Sequence, residues 1–463
     1  MKKIIKGGNV VFENEVKKAD ILINDEKIEA IYSPGSCEEE GEIIDASGMY
    51  VFPGTIDPHS HLDNHVPLDQ ATLLDSKRQA IGGLTTMVPF IKLFGSFKEE
   101  LPNVKQIMEE NSLIDFGFSC FLFSKQQFAE VEDVVRDFGV TSFKFIFDKQ
   151  DIVHLWYPIE KENCLTLDKG DFYYILKRLR EISPKLVLCV HCEDPDIFRR
   201  IESDVKEQSG PEDALKLSTY DKVRPGFCET VTMADTMYIN HVLDGNVYMV
   251  HTANGDSVKM YETLSKEFPS NYTMETCPQY LTFSVEDAKC GVLGKVNPPI
   301  HHDSDREALW KGILDGTVKC IGTDNVPAYM EHKQPKGNDL WTTALGFGTP
   351  GLILPTLITY GYFERNIPLW RLAQVSSTNV AKKFNLETKG QIKPGFDADF
   401  AIVDLDWERT ITKDLFGCSD YSIYEGITYK GWPRYTISRG EIIQKNGEIT
   451  AKPGRGKYLF RKI

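Results

Sequence analysis

Apolar residues in this chain gather into short unbroken runs separated by longer amphipathic stretches. Eight runs, at 50–56, 84–90, 115–123, 142–147, 185–191, 246–251, 271–276 and 319–323, are rich in Val, Ile, Phe and Cys and do not alternate with polar residues. Strands buried on both faces have this composition. The stretches between them repeat apolar residues at i, i+3 and i+4, most clearly at 168–182 and 229–243, which predicts helices with one buried face. A further helix is expected at 303–314, with Asp303 or Ser304 as its cap. Eight alternating strand–helix units predict an α/β fold, a (β/α)8 barrel of the TIM type.

The two ends differ. KIIKGGNVVF and ADILINDEKIEAIYS read as short strands with turns, and NDEK as a hairpin turn. The segments GQIKPGFDADFAIVDLD and ITYKGWPRYTISRGEIIQKNG read the same way. Residues 1–52 and 390–463 are therefore expected to pair into one small β-sandwich, leaving 53–389 for the barrel.

Bulk properties narrow the function. A barrel needs about 250 residues, and this chain has 463. Its net charge of −15 and lack of a basic run argue against nucleic-acid partners. No run approaches a membrane span, and MKKIIKGGNVVFENE is broken too early for a signal segment. A cytoplasmic location is expected. Ten cysteines are scattered singly and read as reduced, buried thiols. Cys189 and Cys192 form a CxxC, but they flank a strand end rather than open a helix, so redox chemistry is not expected.

Candidate chemistry follows the strand ends. His59 and His61 lie in DPHSH after the first run. Lys144 lies inside TSFKFIF. His191 ends KLVLCVH, His251 ends NVYMVH, and Asp324 ends VKCIGTD. Metal ligands must converge from several elements, and a parallel barrel presents its chemistry at the C-terminal ends of its strands. His59 and His61, two apart, can face one ion, with Asp57 orienting a ligand from behind. His191 and His251 would supply a second ion. Asp324 can ligate metal and accept a proton from metal-bound water. Lys144 alone reads as a structural amine reaching a carbonyl or carboxylate. Beside four histidines and an aspartate it reads as a carbamate, N6-carboxylysine, whose anion bridges two cations. Zinc is the default for such a donor set.

The motifs GTIDPHSHLD, GVTSFKFIF, VHCED, VYMVHTAN, METCPQYLTF, KVNPPI, the GTD of the last strand, and SSTNVAKKFNLETKGQIKPGFDADFAIVD resemble the amidohydrolase superfamily, and within it the hydantoinase/dihydropyrimidinase family of cyclic amidohydrolases. The resemblance covers essentially the whole chain. It implies two divalent ions, one held by His59, His61, Lys144 and Asp324 and the other by Lys144, His191 and His251. It implies attack of a metal-bridging hydroxide on a hydantoin- or dihydropyrimidine-like ring, giving an N-carbamoyl acid, with Asp324 shuttling the proton. Asn297 is placed where the family contacts the cyclic amide. A homo-oligomer, tetramer or dimer, is also implied, with a small cyclic amide as the partner.

The substrate side departs from the family pattern. The tyrosine expected five positions after the carbamate lysine is replaced by Lys149, followed by an apparent insertion, DIVHLWYPIEKENCLTL. Tyr157 or Trp156 is expected to replace the missing phenol, Tyr157 being preferred. Asn325 stands where His is usual, and Phe347 where Asn is usual. Asn64, Asn297, Asn325 and Tyr157 are the candidate substrate contacts, with His65 a weaker one. Arg224 and Glu229 are expected to pair at a helix start. His301 and His302 read as solvated helix-entry residues, and Tyr280 and Leu281 as pocket wall. Alternatives are an allantoinase and, less favoured, a non-catalytic scaffold. A dihydroorotase would want Arg, not Asp63, two residues after His61.

Overall fold

The computed structural model describes residues 2–62, 64–148, 159–287, 289–334, 336–413, 415 and 419–463. Asp63, Lys149, Trp156 and Tyr157 lie outside the described residues.

Ten short strands fill eight parallel positions in chain order. Thr55–Asp57 pairs with Leu84–Met87, which pairs with Asp115–Phe116. Beyond these, Phe90–Ile91, Ser119–Phe121, Ser142–Ile146, Val187–His191, Asn246–Met249, Asn271–Thr276 and Val318–Ile321 follow side by side. The runs at 84–90 and 115–123 are each cut in two, at Pro89 and Gly117, where proline withholds a ladder donor and glycine adds no side chain to the packed face. The last position meets the first through backbone bonds from Asp324 N to His59 O and from His61 N to Asn325 O, both 2.8 Å, and a parallel bridge between Ser60 and Asn325.

The first apolar run is not one strand. Tyr50–Pro53 belongs to the other sheet, and Thr55–Asp57 starts the parallel set. Gly54 is the pivot: a Cβ there would meet Thr85 Oγ1 at 2.2 Å, so only glycine lets the backbone turn against that strand.

Strands from the two chain ends share one sheet. Tyr50–Pro53 pairs in parallel with Lys2–Val11 and antiparallel with Phe400–Thr410, and so fuses the two sets into nine strands. Hydrogen bonding thus joins strands from both chain ends into one continuous sheet. Its face carries a core of its own around Ile21, Ile23, Val51, Phe400 and Ile437. The expected hairpin is present, Val16–Asn24 against Lys27–Tyr32.

Helices Lys169–Ile182, Phe227–Leu243 and Asp303–Asp315 cover the parallel strands. Asp168 caps the first, accepting from Gly170 N and Asp171 N, donors otherwise left without partners. The N-cap position of the third is His302, whose N–H donates to Asp305 Oδ2 at 3.2 Å, and not Asp303 or Ser304. Lys389 joins the two sheets: its buried amine lies 2.6 Å from Asp115 and 2.8 Å from Asp399. Among the described residues all nine cysteines are free thiols, and no helix is long and apolar enough to cross a membrane.

Candidate metal centre

His59, His61, His191, His251 and Asp324 sit at or just beyond the C-terminal ends of parallel strands, Lys144 lies in the middle of Ser142–Ile146, and the side chains converge. His59 Nε2 lies 3.1 Å and His61 Nε2 3.3 Å from the same oxygen of Asp324. The three form one cluster of donors close enough for a single ion. On the adjoining side, His191 Nδ1 and His251 Nε2 face each other at 2.8 Å. The two halves touch: the rings of His59 and His251 are 5.4 Å apart. Lys144 lies between, its amine 4.7 Å from the centre of the Phe90 ring, on whose edge His59 also packs at 4.7 Å.

Two of the nine non-glycine residues with positive φ among the described residues are ligands here. His251 has φ 41° and Asp324 φ 51°, the left-handed region that side chains with a Cβ seldom occupy. Such outliers persist where surrounding bonds impose them. For His251 that bond is its own N–H to Glu275 Oε1, 2.9 Å. For Asp324 it is the N–H to His59 O.

The electrostatics favour a cation. Burial holds the Lys144 amine below the ordinary lysine range, although Cys189, Asp324 and Glu275 act against this. Burial pushes His61 down to about 4, and lowers His191 and, further, His251. Neutral imidazoles are the form that ligates metal. His59 differs: burial opposes its charge, but Glu275 and Asp324 raise it above the usual value. Asp324 is held well below the carboxylate range because His59 and His61 outweigh its burial.

The donor set fits a binuclear site. Among the described residues, Lys144 Nζ, His59 Nε2, His61 Nδ1 and His251 Nδ1 are buried without a hydrogen-bond partner. Such atoms cost about 1–3 kcal/mol each unless something satisfies them. Several orphaned nitrogens around one ionised carboxylate describe a place for cations. A carbamate on Lys144 would answer two defects together, giving the orphaned amine partners and supplying an anion between the two ligand groups.

Three acids stand behind the ligands. Asp57 accepts from His59 N and Thr323 N, 3.1 and 3.0 Å, and from the Thr323 hydroxyl. Despite these bonds, burial pushes its carboxyl up to about 7. Glu275 Oε1 accepts from His59 Nδ1 at 2.7 Å and Glu193 Oε2 meets His191 Nε2 at 2.8 Å. Carboxylates behind metal-ligating imidazoles fix tautomer and ring orientation. Glu275 and Glu193 are absent from the sequence-based site. The signal for Glu275 is its position, a buried acid near the end of an otherwise uncharged strand, as for the six ligands. Glu193 follows His191 by two residues.

Other candidates are distributed differently. Asn325 is fully buried, with its amide committed to Asp75, 2.6 Å, and Thr349 N, 2.8 Å. It stitches the strand seam. Asn297 accepts from the Tyr220 hydroxyl and Asn64 from Lys92. His65 stacks on His332. Tyr280 is buried and donates to Pro298 O at 2.8 Å, and Leu281 is buried beside it, so both form wall. Two expectations need correction. Arg224 pairs with Glu193, at 2.9 and 2.8 Å, and not with Glu229. Glu229 instead accepts from Ala253 N and Asn254 Nδ2. His302 is exposed as expected, but His301 is buried and bonded to Asp221 at 2.6 Å. Both departures arise because the partners are 31 and 80 residues away along the chain, which local spacing does not reveal.

Residues 174–443 and 42–92 match the amidohydrolase family. The chain is 28% identical to the D-hydantoinase of Geobacillus stearothermophilus, covering 100% of this chain and 97% of that protein. It is 28% identical to an allantoinase of Desulfitobacterium hafniense, covering 98% of each. The crystal structure of dihydropyrimidinase from Brevibacillus agri superimposes with a TM-score of 0.88 at 26% identity, covering 100% of this chain and 99% of that one.

Proposed function

Because the chain belongs to the amidohydrolase family, we propose that it is a cyclic amidohydrolase, opening a hydantoin- or dihydropyrimidine-like ring to an N-carbamoyl acid. The observation that carries this proposal is the meeting of His59, His61, Lys144, His191, His251 and Asp324, with several of their nitrogens buried and unpartnered. His59, His61, Lys144 and Asp324 would hold one divalent ion; Lys144, His191 and His251 would hold the other, with Lys144 carboxylated and zinc the default metal. When bound, the two ions supply Lewis-acid polarisation of the scissile carbonyl and a water acidic enough to attack near neutral pH.

The remaining work falls to the chain's own groups. Asp324, held ionised at the meeting point of His59 and His61, takes the proton of the attacking water and delivers it to the departing ring nitrogen. Asn297, fixed through its side chain by Tyr220, offers its backbone to the ring amide. Tyr157 is assigned the phenol that stabilises the developing oxyanion, on the sequence alone.

Residues 53–389 are taken as a closed (β/α)8 barrel carrying the site, and 1–52 with 390–463 as one β-domain; the shared nine-stranded sheet supports that division. Free thiols throughout the described residues suit a reducing compartment such as the cytoplasm. Tyr174, Tyr238 and Val242 are each about half exposed or more on two outer helices, which supports a homo-oligomer, dimer or tetramer.

An allantoinase is the second reading, favoured by an identity equal to that with the hydantoinase. A ring-opening panel on zinc-loaded protein distinguishes them, using substituted hydantoins, dihydrouracil, allantoin, dihydroorotate and cyclic imides. Turnover of hydantoins or dihydrouracil is expected. Turnover confined to allantoin would select the second reading, and no turnover of any ring would contradict both.

A further inference from the structure

A cleft of 340 Å³ lies at the other end of the parallel strands from the metal centre. Asn246 and Asn271 begin two of those strands, which lead to His251 and Glu275. Lys319 lies at the start of the strand that leads to Asp324. Lys185, Lys319, Lys382 and Lys383 line the cleft, and no carboxylate among the described residues does. In a chain of net charge −15, this is a local reversal of sign, which attracts anions.

Three of the four lysines lack counter-charges among the described residues. Lys382 pairs with Glu13. Lys185, Lys319 and Lys383 make no ion pair with a described residue. Lys383 is only 9% exposed. Its amine donates to the amide oxygens of Asn246 and Asn271, which satisfies its hydrogens but leaves its charge uncompensated in a buried setting. Burial, with Lys319 close by, depresses this amine to about 7. Asn379 and Asn385 donate to the backbone oxygens of Lys319 and Lys185, at 2.9 and 3.1 Å, and so fix the positions of both segments at the rim.

We propose that this cleft binds a phosphate group, free or carried as a monoester on a small molecule, with Lys383 beneath it and Lys185 and Lys319 at its edge. Lysine binds phosphate as a point charge, and Lys185 and Lys319, neither in an ion pair with a described residue, match a dianion better than a monocarboxylate, with Lys383 as a third donor. The chain's net charge of −15 disfavours a nucleic acid as the ligand. A bound anion would tie together the amino ends of the strands that carry His191, His251 and Asp324.

Zinc-loaded full-length protein is titrated calorimetrically with inorganic phosphate and with glycerol 3-phosphate, against chloride at matched ionic strength. One site per chain is expected, with Kd of about 1 mM or below. Lys319→Ala and Lys185→Ala, both at exposed positions, should each weaken it by about tenfold or more. Tighter binding of glycerol 3-phosphate identifies a monoester ligand, and tighter binding of phosphate the free anion; either supports the proposal. Heats indistinguishable from chloride, or binding unchanged in both lysine variants, as a phosphate bound at the zinc ions would give, overturn it.

Discussion

Glu275 Oε1 lies 2.7 Å from His59 Nδ1, and the same carboxylate holds the backbone N–H of His251 at 2.9 Å. Its other oxygen accepts from the Tyr248 hydroxyl at 2.7 Å. One buried acid therefore fixes the His59 tautomer, leaving Nε2 free for a cation, and pins the strained turn that aims His251. The two ligand groups are coupled through it.

Glu275→Gln should weaken metal binding by about 10–100-fold, the usual cost of losing such a partner. Chelator competition on the purified protein measures it. Wild-type affinity in this variant would show that Glu275 is only packing.

Arg224→Met should destabilise the fold by about 3–5 kcal/mol, because it leaves a buried carboxylate without its cation. Glu193 and Arg224 are 1% and 8% exposed, and the pair is bidentate, with Arg224 also stacked on Phe198 at 3.6 Å. Denaturant unfolding reads the change. A loss under about 1 kcal/mol would place the pair with exposed salt bridges.

The legible part of this molecule is the part written in consecutive residues. Six ligands stand out because each interrupts or ends an apolar run, and their meeting follows from parallel strands. What supports them is not local. Glu275 reaches His59 across 216 positions, and Arg224 finds Glu193 rather than the nearer Glu229 because their segments come together in space. Tyr50–Pro53 and Thr55–Asp57 read as one strand because nothing in apolar content marks the pivot; only the crowding of Gly54 against Thr85 does. Asn325 reads as a pocket residue because it follows a ligand, yet its amide is consumed by Asp75 and Thr349.

Glu229 should make stability fall as pH rises. Burial raises its carboxyl from 4.5 to about 8, despite donors at Ala253 and Asn254. Between these values the folded chain holds a proton that the unfolded chain has lost, so its contribution is full below about 4.5 and disappears as pH passes about 8. Glu229→Gln should flatten the difference in melting temperature across pH 5–8.5. Parallel curves for the variant and wild type would contradict it.

Tyr157→Phe should lower turnover by about 100-fold or more, as for loss of one oxyanion donor, with zinc content unchanged. An unchanged rate would remove Tyr157 from the site.

The central claim is a binuclear site assembled on Lys144 that opens cyclic amides. The most direct measurement titrates zinc into metal-free protein while following both bound metal and ring opening, for wild type and Lys144→Ala. Wild type should bind about two ions per chain, with activity rising as they fill, and Lys144→Ala should lose the second ion and most turnover, with some recovery when a short carboxylic acid is added. Two ions and normal turnover in Lys144→Ala, or ring opening by wild type without metal, would contradict it.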